Sequence, residues 1–270
     1  MQLETTWNLA TYDISDGTVL GLEPLRWLSV GKIAVVCLRG LLEAGELDAA
    51  RRQAHELLGR TSAVNHTNGS QTTVGPSLTA HLHDPHTYFD IATRANERMA
   101  RAGFDLPARV RAALCRTFGL AALEPASGPD GRPYGEAVIR LHTDGVRNPL
   151  HNDHIARDAT GTAWTVADVV GQLSCVVSLQ ECDWGGELVT YRKPWEPGDE
   201  RWKVPGGPGY HSEVVATAPR QVFQPQTQDV YLINPTYYHE IEKPHGPTRT
   251  TLGFFIGFTD DTLHRAVAWG

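Results

Sequence analysis

The chain has 270 residues, of which 41% are apolar, and a formal charge of −7. That length can bury a sizeable core in one large domain or two small ones, and the apolar share is that of a soluble globular protein. No stretch approaches a membrane span, and no stripe of Lys and Arg offers the clustered charge that phosphate contacts need, so neither a membrane nor a nucleic acid is an expected partner.

The opening MQLETTWNLATYD lacks a basic region followed by an apolar run and does not read as a secretory signal. Ile33 to Leu38, an apolar run between Gly31 and Gly40, predicts a buried strand. Residues 41–58 then follow with helical spacing, in which Leu47, Ala50, Ala54 and Leu58 share a face and Gly59 is the stop. Residues 61–85 are polar and carry three histidines, too long for an ordinary connection, and are expected to form a functional lid or a mobile loop. Tyr88 to Ala102 and Pro107 to Leu120 predict two further helices. Beyond Gly135 the texture becomes that of short strands parted by turn residues: 137–141, 173–179, 187–191, 229–233 and 252–258. Helices followed by many strands predict one α+β domain on a β-sandwich or small barrel, and no helical pattern alternates with the late strands to suggest parallel βαβ architecture. Cys37, Cys115, Cys175 and Cys182 are scattered without a C-x-x-C, which argues against a disulfide framework or zinc cluster and makes a reducing cytoplasm the default.

The informative residues are His151-Asn152-Asp153, then His239, then Arg249. On an extended segment, positions two apart share a face, so His151 and Asp153 point the same way. A second His on a strand brought alongside completes a two-His-one-carboxylate set, which suits Fe(II) and leaves positions open for chemistry. Arg249 adds a permanently charged fork for a co-substrate carboxylate. A rival pair, His142-Thr143-Asp144, stands nine residues earlier, although Asp144-Gly145 is also an ordinary turn signal. Alone, His239 would more often be a packed histidine, Arg249 a surface charge and Gly185-Gly186-Glu187-Leu188 a hairpin turn; their order gives them weight.

That order resembles the Fe(II)/2-oxoglutarate-dependent oxygenases, whose fold is a double-stranded β-helix (jelly roll). Ala137-Val-Ile-Arg-Leu, Leu173-Ser, Gly185-Gly-Glu-Leu-Val, Tyr237-Tyr-His239 and Thr250-Thr-Leu-Gly-Phe-Phe resemble the branch of the free-standing alkaloid halogenases of the hapalindole and welwitindolinone type, near which the N-substituted amino-acid hydroxylases also fall. The likeness covers residues 30–260 and is weakest in the helical half and the 61–85 loop. It favours His151 over His142, because in that branch the first metal His follows the Ile-Arg-Leu-like strand after a short connection. The resemblance implies a jelly-roll core over residues 135–260 with helical support over 41–120, all in a single domain spanning 1–270. It also implies His151, Asp153 and His239 as iron ligands, with Arg249 pairing the far carboxylate of 2-oxoglutarate and Thr251 adding a hydrogen bond to it.

One departure matters. The halogenases of that branch carry Gly where the metal carboxylate would sit, which opens a position for halide, whereas this chain has Asp153. Hydroxylation of a small molecule, a modified amino acid or secondary metabolite, using Fe(II), 2-oxoglutarate and O2, is therefore expected over chlorination. Desaturation, ring formation and epimerisation share the same ligands. Other classes using the same residues are a non-catalytic jelly-roll sensor and a metal hydrolase. Arg140 and Arg157 are candidates for a substrate carboxylate or for structural ion pairs, and nearby aromatics such as Trp164, Trp195 and Tyr134 are more often core packing. Oligomeric state is not legible.

Overall fold

A computed structural model describes residues 7–61, 64–66, 69–207 and 209–270. The first half runs β1 (Leu9–Asp13), α1 (Glu23–Ser29), β2 (Val35–Arg39), α2 (Ala44–Gly59), β3 (Val64–His66), β4 (Gly69–Val74), α3 (Pro85–Arg101), α4 (Leu106–Phe118) and β5 (Ala122–Pro125). The second runs β6 (Val138–Leu141), β7 (Asn148–His151), the short α5 (Ile155–Asp158), β8 (Gly171–Gln180), β9 (Leu188–Pro194) and β10 (Arg220–Phe223). It ends with β11 (Val230–Ile233), β12 (Tyr237–Ile241), β13 (Thr250–Phe258) and β14 (Arg265–Trp269).

Strands β6 to β13 distribute between two antiparallel layers. β11-β8-β13-β6 are neighbours in the larger sheet, and β10-β9-β12-β7 make the smaller one. β1 and β2 extend the larger sheet beyond β11, β4 and β3 extend it beyond β6, and β14 and β5 pair at the far half of β13.

The two-residue period of a strand explains the layering. On β13, Leu252, Phe254, Ile256 and Phe258 join Leu173, Cys175 and Val177 of β8 in packing against Leu47, Ala54, Leu57 and Leu58 of α2 and Val110, Leu114 and Phe118 of α4. Each of these leucines contributes about 2 kcal/mol by burial. The opposite face of the large sheet, with Val35, Cys37, Tyr231 and Ile233, packs against Leu188 and Phe223 of the small sheet. The alternate positions left over on that inner face are polar or charged, and they build the site. A separate aromatic core of Tyr88, Phe89, Tyr134 and Trp164 fixes α3 beneath the loops, so Tyr134 and Trp164 are packing residues.

The expected helices and late strands form within a few residues of the predicted bounds; α4, for instance, stops at Gly119, whose φ of +68° is the left-handed cap that glycine accepts without strain. Two expectations need correction. The segment 61–85 is not one long loop: Thr72, Thr73 and Val74 form a β-branched run that pairs β4 with β6, and β3 pairs β4 in turn. Residues 62, 63, 67 and 68 of that segment lie outside the described residues. A parallel unit also exists at the N-terminus, where β1 and β2 pair in parallel across α1. Its first strand has an exposed-to-intermediate burial pattern, so no apolar run announced it. All four cysteines are free, with Cys37 and Cys175 buried. No helix among the described residues is long and apolar enough to cross a membrane.

Candidate active site

His151 ends β7, and the antiparallel register places it directly opposite His239 on β12. The intervening positions face outward: Leu150 and Tyr238 pack with Tyr210 behind the small sheet. The two imidazoles consequently meet on the inner face, with ring centroids 4.2 Å apart. Asp153 lies two residues past His151, and its N–H donates to the Pro235 carbonyl at 2.8 Å, which ties the end of β7 to the β11–β12 turn. Its Oδ2 is 3.7 Å from His151 Nε2 and 3.9 Å from His239 Nε2. One ligand atom from each of the three residues lies within 4.8 Å of the others.

The orientation of both rings is set locally. His151 Nδ1 is 2.6 Å from the Pro149 carbonyl and His239 Nδ1 is 3.0 Å from the Tyr237 carbonyl. A carbonyl only accepts, so each Nδ1 carries the proton and each Nε2 keeps its lone pair for a metal. His239 is buried, and burial, reinforced by His151, lowers its pKa to about 4, with Asp153 and the Tyr237 carbonyl opposing. It is a neutral donor at physiological pH. Two imidazole nitrogens and one carboxylate oxygen on one side of an ion are a donor set that fits ferrous iron, with the remaining positions open.

Arg249 lies deeper between the sheets, immediately before β13, and is 1% exposed. Its Nε donates to Glu181 Oε2 at 2.8 Å, Nη1 donates to His142 Nε2 at 3.2 Å and Nη2 reaches Tyr231 Oη at 3.4 Å. Burial works against the charge, but Tyr231 and Glu181 outweigh it and raise the Arg249 pKa. Gly186, at φ +71°, clears this space, since a Cβ there would sit 3.3 Å from Arg249 Cδ and 2.9 Å from Cys182 Sγ. The Gly-Gly turn thus makes room for the guanidinium as well as reversing the chain.

Thr251 follows two residues later on the same face, with its hydroxyl 3.0 Å from His142 Nε2. Because an arginine N–H can only donate, that nitrogen of His142 is unprotonated. Burial, then the charges of Arg249 and Arg140, hold the His142 pKa well below the ordinary histidine value. The rival pair is therefore divided: His142 serves the Arg249 cluster, and Asp144 is on the surface beside His245. Arg157 is committed to Asp158 at 2.6 Å and to Asn152 Oδ1 at 2.7 Å, with its guanidinium over Trp195.

Three neighbours were not singled out from sequence. Glu181 is a lone acid closing an apolar strand, which is a weak signal, and nothing in its spacing links it to Arg249. Tyr231 reads as one more apolar residue of β11. Thr190 stands beside His239 in the β9–β12 register, and its buried hydroxyl has no partner among the described residues. A cavity of about 580 Å³ borders the loop that carries Asp153, with His154, Gln172, Asn234 and Thr236 in its wall together with Trp27 and Val170.

No curated protein sequence matches this chain. Among solved structures, an N-substituted L-amino acid dioxygenase from Burkholderia ambifaria AMMD is similar over 96% of this chain and 92% of its own, with TM-score 0.60 and 17% identity. An N-substituted L-amino acid dioxygenase from the same organism, in complex with alpha-KG, is similar over 92% of this chain and 90% of its own, with TM-score 0.58 and 18% identity. These likenesses bear on the fold. The family of the carrier-protein-independent halogenase WelO5 matches residues 21–270, so the chain belongs to that family and is a 2-oxoglutarate-dependent non-haem iron enzyme.

Proposed function

We propose that the enzyme hydroxylates an unactivated C–H bond of a small molecule, with His151, Asp153 and His239 holding Fe(II) and with Arg249 and Thr251 binding 2-oxoglutarate. The observation that carries this reading is the convergence of two imidazoles and a carboxylate within 4.8 Å. The alternation of β6 to β13 between two sheets supports a double-stranded β-helix as the core of a single domain. When bound, the ferrous ion with its keto acid and O2 supplies an oxidant strong enough to take hydrogen from carbon.

The chain's own residues do the rest. The carbonyls of Pro149 and Tyr237 hold the two Nε2 lone pairs inward, and the Pro235 carbonyl holds the Asp153 backbone. Arg249, aimed by Glu181, presents Nη1 and Nη2 toward the interior, where a carboxylate can replace the weaker His142 and Tyr231 contacts. Val35, Tyr231, Ile233 and Leu188 pack as one apolar cluster between the sheets.

Halogenation is the second reading, because the matching family is named for a halogenase. Asp153 weighs against it: a carboxylate at that position fills the coordination place a halide would need. The test is a panel of small molecules incubated with Fe(II), 2-oxoglutarate, O2 and chloride, reading succinate and product mass together. A product heavier by one oxygen supports hydroxylation and a chlorinated product supports the second reading. Substrate conversion under strict anaerobiosis without 2-oxoglutarate would refute both.

A further inference from the structure

Asp153 is the member of the candidate triad whose side chain no hydrogen bond aims. His151 and His239 each rest a ring nitrogen on a carbonyl, whereas the Asp153 carboxylate accepts no hydrogen bond among the described residues. Its N–H on the Pro235 carbonyl fixes one end of the residue. The direction of the side chain then depends on the local backbone, which its two neighbours, Asn152 and His154, must hold.

One ion pair holds both neighbours. Arg157 Nε donates to Asp158 Oδ1 at 2.6 Å, Arg157 Nη1 donates to Asn152 Oδ1 at 2.7 Å, and the second oxygen of Asp158 accepts from the His154 N–H at 3.3 Å. The pair therefore brackets Asp153, on one side through a side chain and on the other through the backbone. Asn152 is buried and its Nδ2 has no partner, so the bond from Arg157 is what holds its side chain among the described residues. The guanidinium fork serves both acceptors at once, which the single nitrogen of a lysine does less well.

The bracket is braced from across the small sheet. The Arg157 guanidinium lies 4.7 Å from the ring centroid of Trp195, in the segment after β9, and Trp195 Nε1 donates to Glu200 Oε1 at 3.1 Å. Tyr210 Oη donates to the same oxygen, and its ring packs edge-on against Tyr238, the residue before His239. The Ile155 N–H, donating to Gln172 Oε1 at 2.9 Å, ties the same loop to β8. With both side chains of the ion pair 22% exposed, the pair adds little to overall stability. A metal site, however, needs its donors held within about 0.5 Å, and short hydrogen bonds act on that scale.

We propose that Arg157, with Asp158 and Trp195, is a positioning clamp that holds the Asp153 carboxylate in place as a metal donor; this rests on the ligand assignment above. The test is calorimetric titration with Ni(II) in two backgrounds, wild type and Asp153→Gly. Arg157→Met should bind Ni(II) about tenfold more weakly than wild type, and Trp195→Leu about two- to fivefold more weakly. In Asp153→Gly the same two changes should move the affinity by less than about twofold, because the group they position is gone. Arg157→Lys should fall between wild type and Arg157→Met. The absorption spectrum of the Co(II)-loaded Arg157→Met protein should shift toward that of Asp153→Gly, while its metal-free circular dichroism stays that of wild type. Wild-type affinity in both Arg157→Met and Trp195→Leu overturns the proposal. So does an equal loss in the two backgrounds, the mark of a general structural effect. Should Arg157→Met fail to fold, Arg157→Lys and Trp195→Leu decide by the same comparison. If Asp153→Gly binds Ni(II) as tightly as wild type, the ligand assignment itself falls. If Asp153→Gly binds weakly while the Arg157 and Trp195 variants bind as wild type does, only the present inference falls.

Discussion

Replacing Glu181 by Gln tests how the interior holds Arg249. The carboxylate and guanidinium meet at 2.8 Å with side-chain exposures of 8% and 1%, so solvent screens the pair little. Glu181 also accepts from the Ser178 hydroxyl, which fixes its own position. Removing one partner of a buried pair costs about 3–5 kcal/mol, because the other charge stays buried. Gln keeps the shape and one acceptor, which argues for the lower end, about 3 kcal/mol. Domains are stable by roughly 5–15 kcal/mol in all, so a large share is at stake. At about 2–4 °C per kcal/mol for a chain of this size, the metal-free variant should melt about 6–12 °C lower. The double variant Glu181→Leu with Arg249→Met removes both charges and should regain most of the loss. With Ni(II) present, saturating 2-oxoglutarate should stabilise Glu181→Gln more than wild type, since the incoming carboxylate supplies the missing charge. Thermal and urea denaturation followed by circular dichroism measure all four quantities. A single variant that melts within about 2 °C of wild type, or a double variant whose loss equals the sum of the two single losses, would refute the reasoning.

Asp153→Gly removes the carboxylate from the candidate triad, and hydroxylation should fall by more than about a hundredfold in an oxygen-consumption and product-mass assay; retention of full activity while Asp144→Ala is inactive would move the site to the earlier pair. Thr190→Val deletes a buried hydroxyl without a partner, so the ligand-free protein should gain about 1 kcal/mol and melt higher in calorimetry, whereas a loss of stability would mean that the hydroxyl is satisfied. The pH dependence follows from His142 and His239, whose folded pKa values lie below the unfolded value near 6.5. Both are neutral in the fold and take up protons on unfolding as the pH drops, so their contribution is fully present above about pH 6.5 and is lost as pH falls from there toward 4, the value for His239. The melting temperature of the metal-free protein should fall through that window, and the slope should be shallower in His142→Gln; equal slopes in the two proteins would contradict the burial of a neutral His142.

The chain alone determined the faces of its strands. His-x-Asp on an extended segment must project both groups to one side, Leu173 to Leu179 and Leu252 to Phe258 must be buried, and the helical spacing of Leu47, Ala50, Ala54 and Leu58 must seek an apolar surface. It also carried Asp153, the residue on which the proposed preference for hydroxylation over halogenation rests. Local period says nothing about which faces meet. The register that sets His239 opposite His151, the pairing of Thr251 with Arg140 and the meeting of Glu181 with Arg249 across 68 positions arise from strand pairing between distant segments. β12 and β7 themselves were hard to read because each is short, holds polar residues on the inner face and draws its stability from neighbours. The same holds for the strands in 61–85, whose polar composition suggested a loop until β6 offered an edge to pair with. Side-chain direction is a property of a few adjacent residues; which acid meets which arginine belongs to the whole fold, and only the tertiary structure decided that Glu181 pairs with Arg249.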